Sequence, residues 1–441
     1  MTVKASNAGN SASQGSIFGL KRTSHGRPVS RRRAHAVAHR YRKLPPFIGS
    51  APHITGGSAR RMPLRAPAAM SLAEGSRMAL LSRPLSKKAE VKPSPDYCPR
   101  RPDVPPPPTL EGMSVDVVYI RPGGTGWGPV AELAHLTARL LGATLTEIDD
   151  RGRASAVERG AVLLPRGRRA GGRRLLVIAG NPAALAFAAR RHLWFPGYAS
   201  TTAWVIDSFW TDRIAGIAKH RPHFDHLFIT DPDLVDEWAD RTGRPVDVLP
   251  WGADTLAFEP VAGEKSIDLL RLGRQPSAWD DDAVTAKDAE RHGLSFRGRP
   301  PAAAEPLTNQ ENVRRALLEA KVVLAFSNRV SPAAYTHPTR EYVTGRWMDA
   351  LAAGCLVAGT APATATDLLW PGATLEISPE DRAEAWPALQ QAAESWGAAK
   401  ATAQQRRARA TIDWRHRLHH LTTTLGWPVT PDLAREFKMV E

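Results

Sequence analysis

Cysteine is almost absent from this chain, which contains only Cys98 and Cys355, in different regions of the sequence. Two distant cysteines exclude a disulfide framework and a cysteine-rich zinc site, and they are typical of a reducing compartment. No run of about 18 apolar residues occurs, so no membrane-spanning helix is expected. These absences predict a globular, cytoplasmic protein.

Acidic residues are scarce in the first quarter of the chain. Residues 1–112 contain 20 Lys and Arg but only 5 Asp and Glu, whereas residues 113–441 contain 39 of each charge. The formal net charge of +15 therefore belongs to the first 112 residues. All 13 Trp lie in the neutral remainder. The high isoelectric point is thus no argument for a nucleic-acid-binding fold.

Residues 1–112 are rich in Arg, Ser, Ala and Pro and have no helical or strand periodicity, so we expect a disordered extension. A basic arm that touches nucleic acid and an organellar transit peptide are two interpretations. A third is that the segment is not translated, because Met113 directly precedes a strand-like run, Ser114–Ile120. We favour Met113 as the start of the folded unit.

From residue 114 onward, short apolar β-branched runs alternate with helical patterns. Repeated β–α units predict parallel sheets that are covered on both faces. Some 330 residues are too many for one such sheet, so we predict two doubly wound α/β domains joined near residues 250–263, with a helical tail. A single (β/α)₈ barrel is the rival, which the uneven spacing of the elements disfavours. The predicted strands are 115–120, 144–148, 175–179, 204–206, 227–230, 246–249, 267–272, 294–296, 322–326, 356–358 and 375–377.

A glycine-rich loop, Gly123-Gly124-Thr125-Gly126, joins the first strand to the first helix. Glycines let the backbone approach an anion, and a helix N-terminus offers free N–H groups. The loop matches neither the dinucleotide fingerprint nor the P-loop. A tight turn that needs positive φ is the alternative.

The most informative segment is 335–354, which is crowded with charge between a buried strand and an Ala-rich helix. Glu341 and Asp349 are eight positions apart, roughly 12 Å along a helix. This separation is too long for a paired acid and base, but it suits two carboxylates that hold different hydroxyls of one extended ligand. The alternative is a surface loop, with Asp349 on a solvated helix face.

Together these segments resemble the retaining GT-B glycosyltransferases of the "group 1" type, in particular the spore-maturation and spore-coat branch. That family has Glu, seven residues and a second Glu before an Ala- and Gly-containing helix end; here Glu341 and Asp349 stand in that spacing before Ala350–Val357. The glycine loop, Val248–Thr255 and Leu272-Gly273-Arg274 agree in order. The likeness covers most of 114–425 and none of 1–112.

The resemblance implies a GT-B fold, with 113–255 as the acceptor-side domain, 256–400 as the nucleotide-sugar domain and 401–441 as a helical tail. It implies that Glu341 is the catalytic residue, which holds the donor sugar, and that Asp349 holds the ribose. It implies no cofactor and no metal, because positive side chains and helix dipoles stabilise the leaving diphosphate. The expected donor-binding residues are Gly123, Gly124, Arg274, Ser327, Asn328, Thr344, Gly345, Arg346 and Asp349.

Two departures from the family pattern concern activity. Asp349 replaces the second Glu, and the family's usual diphosphate Lys after Arg274 is missing, so Arg340 or Arg346 is expected to substitute. A non-catalytic protein that binds a nucleotide sugar or glycan is therefore the second hypothesis. Two possible metal sites are interpreted otherwise: Asp280-Asp281-Asp282 as a helix cap, and His220, His223 and His226 as ordinary histidines.

Overall fold

The computed structural model describes residues 114–150, 156, 172–190, 197–219, 223–365 and 367–441. The predicted extension, residues 1–112, lies outside the described residues. No helix in the described part of the chain is long and apolar enough to cross a membrane.

The first domain is built on a six-stranded sheet in which every pair of neighbouring strands is parallel. Its strand order is β2-β1-β3-β4-β5-β6. Most of these strands are apolar, because helices and turns cover both faces of the sheet. The strands are β1 (Ser114–Arg121), β2 (Thr144–Asp149), β3 (Arg173–Ala179), β4 (Ser200–Val205), β5 (His226–Ile229) and β6 (Val246–Val248).

Three described α-helices belong to this domain: α1 (Gly128–Leu140), α2 (Gly216–Lys219) and α3 (Val235–Thr242). Pro129 lies in the first turn of α1, where a missing backbone N–H costs no hydrogen bond. Gly243 ends α3 in the left-handed conformation, with φ of 63°. The helix predicted after Asn181 is a 3-10 helix, Pro182–Arg190.

The second domain contains a five-stranded parallel sheet with the order β11-β10-β9-β7-β8. Its strands are β7 (Ile267–Arg271), β8 (Phe296–Arg297), β9 (Ala320–Leu324), β10 (Leu356–Gly359) and β11 (Thr374–Glu376). The helices are α4 (Asp282–Arg291), α5 (Pro306–Glu319), α6 (Gly345–Ala352), α7 (Arg382–Ser395), α8 (Ala398–Ile412), α9 (Trp414–Thr424) and α10 (Pro431–Phe437).

Two open parallel sheets confirm the predicted fold class, a GT-B arrangement of two Rossmann-like domains with C-terminal helices, and exclude the barrel. Each predicted strand is present, with ends that differ by a few residues. In each sheet the strand that comes first in the sequence has later strands on both sides. The order in which strands are added to the sheet therefore reverses, between β1 and β3 in the first sheet and between β7 and β9 in the second. Ligands of open α/β sheets bind at the carboxyl ends of the strands at such reversals.

Helix α9 returns the chain to the first domain. The run Trp414-Arg415-His416-Arg417 predicts a basic surface helix, and the structure contradicts this prediction, because Arg415 is only 2% exposed. Its guanidinium pairs with Asp254, Asp413 and Glu436, so its charge is neutralised inside the protein. Next to it, Trp414 packs edge-on against Trp204 of β4, with ring centroids 5.6 Å apart.

Candidate functional site

Two arginines meet at the carboxyl end of β7. Gly273 follows this strand with φ of +77°, and a Cβ atom there would lie 2.6 Å from Nη1 of Arg346. Glycine therefore allows the Arg346 side chain, from the first turn of α6, to lie against the backbone beside Arg274. The Nη2 atom of Arg346 donates to the carbonyl of Phe326 at 2.5 Å.

The two guanidinium groups have no acidic partner among the residues that the structure describes. Arg274 donates to the carbonyl of Ser331 at 3.1 Å and to the hydroxyl of Tyr335 at 2.5 Å. Neither Arg274 nor Arg346 forms an ion pair with any described residue. Burial, and then the charge of Arg274, lowers the pKa of Arg346 to about 10. An anion bound here would relieve both the repulsion and the desolvation.

Unpartnered hydroxyl groups surround the same edge of the sheet. The side-chain oxygens of Ser327, Ser331, Thr344 and Thr360 are buried and have no hydrogen-bond partner in the described part of the protein. Ser327 is only 1% exposed and follows β9, whereas Thr344 immediately precedes α6. Buried polar groups without partners are rare in proteins. A polar ligand at this edge would give these four hydroxyl groups hydrogen-bond partners.

Asn328 lies beside Ser327 but binds the protein instead. Its Nδ2 atom donates to the carbonyl of Arg340 at 2.8 Å, and its Oδ1 atom accepts from the N–H of Tyr342 at 3.2 Å. The side chain therefore holds the backbone on both sides of Glu341. The structure places Asn328 as a support for the loop that carries Glu341.

Glu341 lies in the loop before α6 and is half-buried. Its Oε2 atom accepts from the backbone N–H of Ala363 at 3.0 Å, while Oε1 has no hydrogen bond to a described residue. Its carbonyl oxygen accepts from the hydroxyl of Thr364 at 3.4 Å. One carboxylate oxygen is thus oriented by the protein and the other is available to a ligand.

Asp349 is in the interior, only 2% exposed, so the alternative of a solvated helix face is wrong. Its Oδ2 atom accepts from Nε2 of Gln310 on α5 at 2.8 Å. Burial, and then the charge of Glu132, raises the pKa of Asp349 to about 7, against the hydrogen bond from Gln310 and the charge of Arg314. Gln310 is thus already hydrogen-bonded to one oxygen of the carboxylate that was predicted to hold a ribose.

Gly124 and Gly345, two of the three predicted glycine positions, differ in their surroundings. Gly124 has φ of +105°, and a Cβ atom there would meet nothing within 4 Å, so the glycine loop borders open space. Asn309 of the second domain donates to the carbonyl of Thr125 at 3.0 Å. At Gly345, by contrast, a Cβ atom would lie 2.7 Å from the Pro129 ring. Gly345 therefore allows the start of α6 to pack against the start of α1.

The structure brings the glycine loop, the arginine pair and the start of α6 to the carboxyl ends of β1, β7 and β9, and it separates Arg340 from the arginine pair. Nη2 of Arg340 pairs with Oε2 of Glu237 at 2.9 Å. Of the two expected substitutes for the missing lysine, Arg346 is the one that lies beside Arg274.

Asp207, which follows β4, adds an acid on the first domain. Burial raises its pKa to about 7. The charge of Asp207 contributes, after burial, to raising the pKa of Tyr342 to about 12, and Arg274 and Arg346 oppose this rise. The pKa of Tyr342 therefore depends on charged side chains of both domains. No sequence pattern marks Tyr342, because its role depends on contacts between residues that are far apart in the chain.

The acidic triplet at residues 280–282 has the structural role that the sequence predicts. Asp281 accepts from the N–H groups of Ala283 and Val284 at 2.9 and 3.1 Å and caps α4, while Asp280 and Asp282 pair with Arg271.

Of the three histidines singled out in the sequence, the structure shows the partner of one. His226 pairs with Asp247 at 2.8 Å, and His220 lies outside the described residues. No group of three His, Cys, Asp or Glu side chains among the described residues is arranged to hold a metal.

Comparison with solved structures gives distant likenesses. HepE from Anabaena, in complex with UDP-glucose, is 12% identical, with a TM-score of 0.43 over 70% of this chain and 99% of its own. A UDP-forming trehalose-phosphate synthase from Burkholderia vietnamiensis is 12% identical, with a TM-score of 0.42 over 73% and 99%. A glycosyltransferase from Rickettsia africae is 8% identical, with a TM-score of 0.41 over 71% and 97%.

Comparison of sequences gives one further finding. No curated protein sequence matches the chain. Residues 256–423, which comprise the second domain and most of the C-terminal helices, match the family described as "Glycosyl transferase-like".

Proposed function

We propose that the protein is a glycosyltransferase that moves a sugar from a nucleotide-diphosphate sugar to an acceptor. The observation that supports this most strongly is the Arg274–Arg346 pair, which has no carboxylate partner in the described chain. The pair lies where the strand order of the second sheet reverses, between β7 and β9. A planar guanidinium matches two phosphate oxygens, and two of them suit a diphosphate. The glycosyl transferase-like match over 256–423 supports the same function.

The diphosphate would lie between the arginine pair and the start of α6, where Thr344 and Gly345 precede a helix whose N-terminus carries partial positive charge. The hydroxyls of Ser327 and Thr344 would donate to its oxygens. Gly123 and Gly124 would face it from the first domain. This set of donors stabilises the charge that develops on the leaving diphosphate, so we propose that no metal or other cofactor is needed.

Glu341 would accept hydrogen bonds from hydroxyls of the donor sugar through its free oxygen. A carboxylate at this position is most favourable when the ring carbon gains positive charge, so the contact strengthens in the transition state. We propose a retaining reaction in which the acceptor attacks from the face that the diphosphate leaves. The departing phosphate oxygen takes the proton of the acceptor hydroxyl. A cytoplasmic location, as expected from the scarcity of cysteine, belongs to the same proposal.

Calorimetry with UDP, GDP and ADP tests the donor site, and sugar transfer or slow donor hydrolysis tests the reaction. We expect one nucleoside diphosphate to bind the wild type, and its sugar conjugate to be hydrolysed or transferred. Failure of all three diphosphates to bind would contradict the donor site.

The second candidate is a non-catalytic protein that binds a nucleotide sugar. The hydrogen bond between Gln310 and Asp349 favours it, because the ribose carboxylate is already engaged and buried. Binding of the intact donor, with neither transfer nor hydrolysis for any acceptor tried, would make this the better account.

A further inference from the structure

The loop that carries Glu341 is held by the first domain. We call residues 337–342 the latch loop. Within it, Arg340 reaches α3 and pairs with Glu237 at 2.9 Å, and its Nη1 atom donates to the carbonyl of Phe209 at 3.1 Å. Phe209 lies just beyond the carboxyl end of β4, so both partners of Arg340 belong to the opposite domain.

The two carboxylate oxygens of Glu237 accept hydrogen bonds from different domains. Its Oε1 atom accepts from the Thr211 hydroxyl at 2.5 Å and from Nε of Arg241 at 2.9 Å, both in the first domain. Its Oε2 atom accepts from Arg340 of the second domain. The contacts to Thr211 and Arg241 fix the carboxylate before Arg340 arrives, so little side-chain entropy is lost when the latch loop binds.

Aromatic contacts extend the same attachment. The ring of Tyr342 stacks on Phe209, with centroids 3.8 Å apart and 15° between the planes. The ring of His337 lies 4.7 Å from Trp210. The Nδ1 atom of His337 accepts from the N–H of Arg340 at 3.0 Å, which closes the turn of the loop.

Glu341 therefore lies between two residues that are attached to the first domain. Its own carboxylate points elsewhere, to the N–H of Ala363 in the second domain. The position of its backbone depends on Arg340 and Tyr342, whose side chains contact Glu237 and Phe209. A change in the contact between the domains would move Glu341 relative to the arginine pair.

We propose that Glu237 and Phe209 are positioning residues for sugar transfer, which act through Arg340 and Tyr342 to place Glu341. This inference rests on the proposed function. It makes the first domain a part of the donor-sugar site through the position of Glu341. Displacing a reacting group by about 1 Å can cost on the order of 100-fold in rate, so loss of the latch is expected to reduce turnover.

Glu237→Gln tests the proposal, because it removes the ion pair with Arg340 and preserves the shape of the side chain. We expect kcat for transfer or donor hydrolysis to fall about tenfold or more, while the Kd for the nucleoside diphosphate stays within about twofold. Arg315→Gln is the control: it breaks an exposed ion pair with Glu311 on α5 and leaves every contact of Glu237 intact, so kcat is expected to stay near the wild-type value.

A double-mutant cycle separates positioning from simple destabilisation. Arg340→Met removes the partner of Glu237, so the double variant with Glu237→Gln is expected to lose no more activity than Arg340→Met alone. Independent, multiplying losses would overturn the proposal, and so would an equal fall in kcat for Arg315→Gln.

Hydrogen exchange tests the attachment of the latch loop independently of the proposed function. Glu237→Gln is expected to speed exchange of the amides of residues 337–342, with no change in β7 or β9. Unchanged exchange in the latch loop would overturn the attachment itself. Absence of diphosphate binding and turnover in the wild type would instead contradict the proposed function and, with it, a positioning role in transfer.

Discussion

The Nζ atom of Lys265 lies 3.7 Å from the Sγ atom of Cys355, in the interior of the second domain. The same ammonium donates to the carbonyls of Leu317 and Ala353, each at 2.9 Å. These carbonyls belong to the last turn of α5 and to the residue that follows α6. Lys265 thus satisfies two helix C-termini, where a positive charge is favourable, at the edge of the sheet opposite the site.

Lys265→Met is expected to destabilise the protein by roughly 2–4 kcal/mol, because buried carbonyls lose their donor. Urea unfolding measures the change in the free energy of unfolding. Lys287→Met, at an exposed position of α4, is the control and is expected to change little. Equal effects in the two variants would contradict the role of Lys265.

Arg274→Ala is expected to weaken binding of a nucleoside diphosphate by on the order of 2–4 kcal/mol, since a charge-assisted contact to phosphate is lost. Arg274→Lys is expected to recover only part of this, because an ammonium lacks the planar fork. Calorimetry measures both. Arg297→Ala, which removes an exposed arginine from β8, is the control. Unchanged affinity in Arg274→Ala would remove this residue from the site.

Glu341→Gln is expected to leave binding of the free nucleoside diphosphate unchanged, because that ligand has no sugar for Glu341 to hold. Sugar transfer is expected to fall strongly, by about 100-fold or more, since the lost charge acts mainly in the transition state. Calorimetry and a transfer or hydrolysis assay measure the two effects. A variant that loses only stability would show that Glu341 is structural.

Asp349→Asn is expected to weaken both the free nucleotide and the intact donor, if Gln310 yields the carboxylate to the ribose. The expected loss is about 1.5–3 kcal/mol, the usual range for a hydrogen bond to a charged group. Calorimetry with the two ligands measures it. Unchanged affinity for both ligands would show that Asp349 serves the interior alone.

The pH dependence of stability provides a separate test of Asp349. Its pKa in the folded protein, about 7, exceeds the ordinary value of 3.8. Between these two pH values the folded state keeps a proton that the unfolded state has released, so the free energy of unfolding falls as the pH rises from about 4 to 7.

Asp349→Asn is expected to flatten this fall by on the order of 1–2 kcal/mol, measured by urea unfolding at several pH values. Asp207, whose pKa is also about 7, contributes in the same direction and remains in the variant. Asp236→Asn, at an exposed position, is the control. An identical pH profile for Asp349→Asn and the wild type would contradict the raised pKa.

A chain of residues 113–441 is expected to fold and to unfold at the same temperature as the full chain, because the tryptophans and the apolar strands lie after Met113. Calorimetric melting measures the two midpoints. A large fall in Tm, or loss of solubility, would show that residues 1–112 pack against the rest.

The strands could be predicted because a buried parallel strand is a short, continuous apolar run, a property of the local sequence alone. Arg274 and Glu341 could be marked from local patterns as well. The burial of Arg415 could not, since its neutralising partners Asp254 and Glu436 become neighbours only in the fold. The attachment of Arg340 to Glu237 was hidden for the same reason, because 103 positions separate them.

The packing of Trp414 on Trp204 has a consequence for how the protein is made. Strand β4 leaves the ribosome more than two hundred residues before α9. At roughly 5–20 residues per second, synthesis of the intervening chain takes on the order of 10–40 s. During that time the indole of Trp204 and the apolar surface around it lack their permanent cover. The nascent first domain therefore exposes an apolar surface for a limited time. A chaperone that recognises exposed aromatic residues would bind this surface until α9 has been synthesised and covers it.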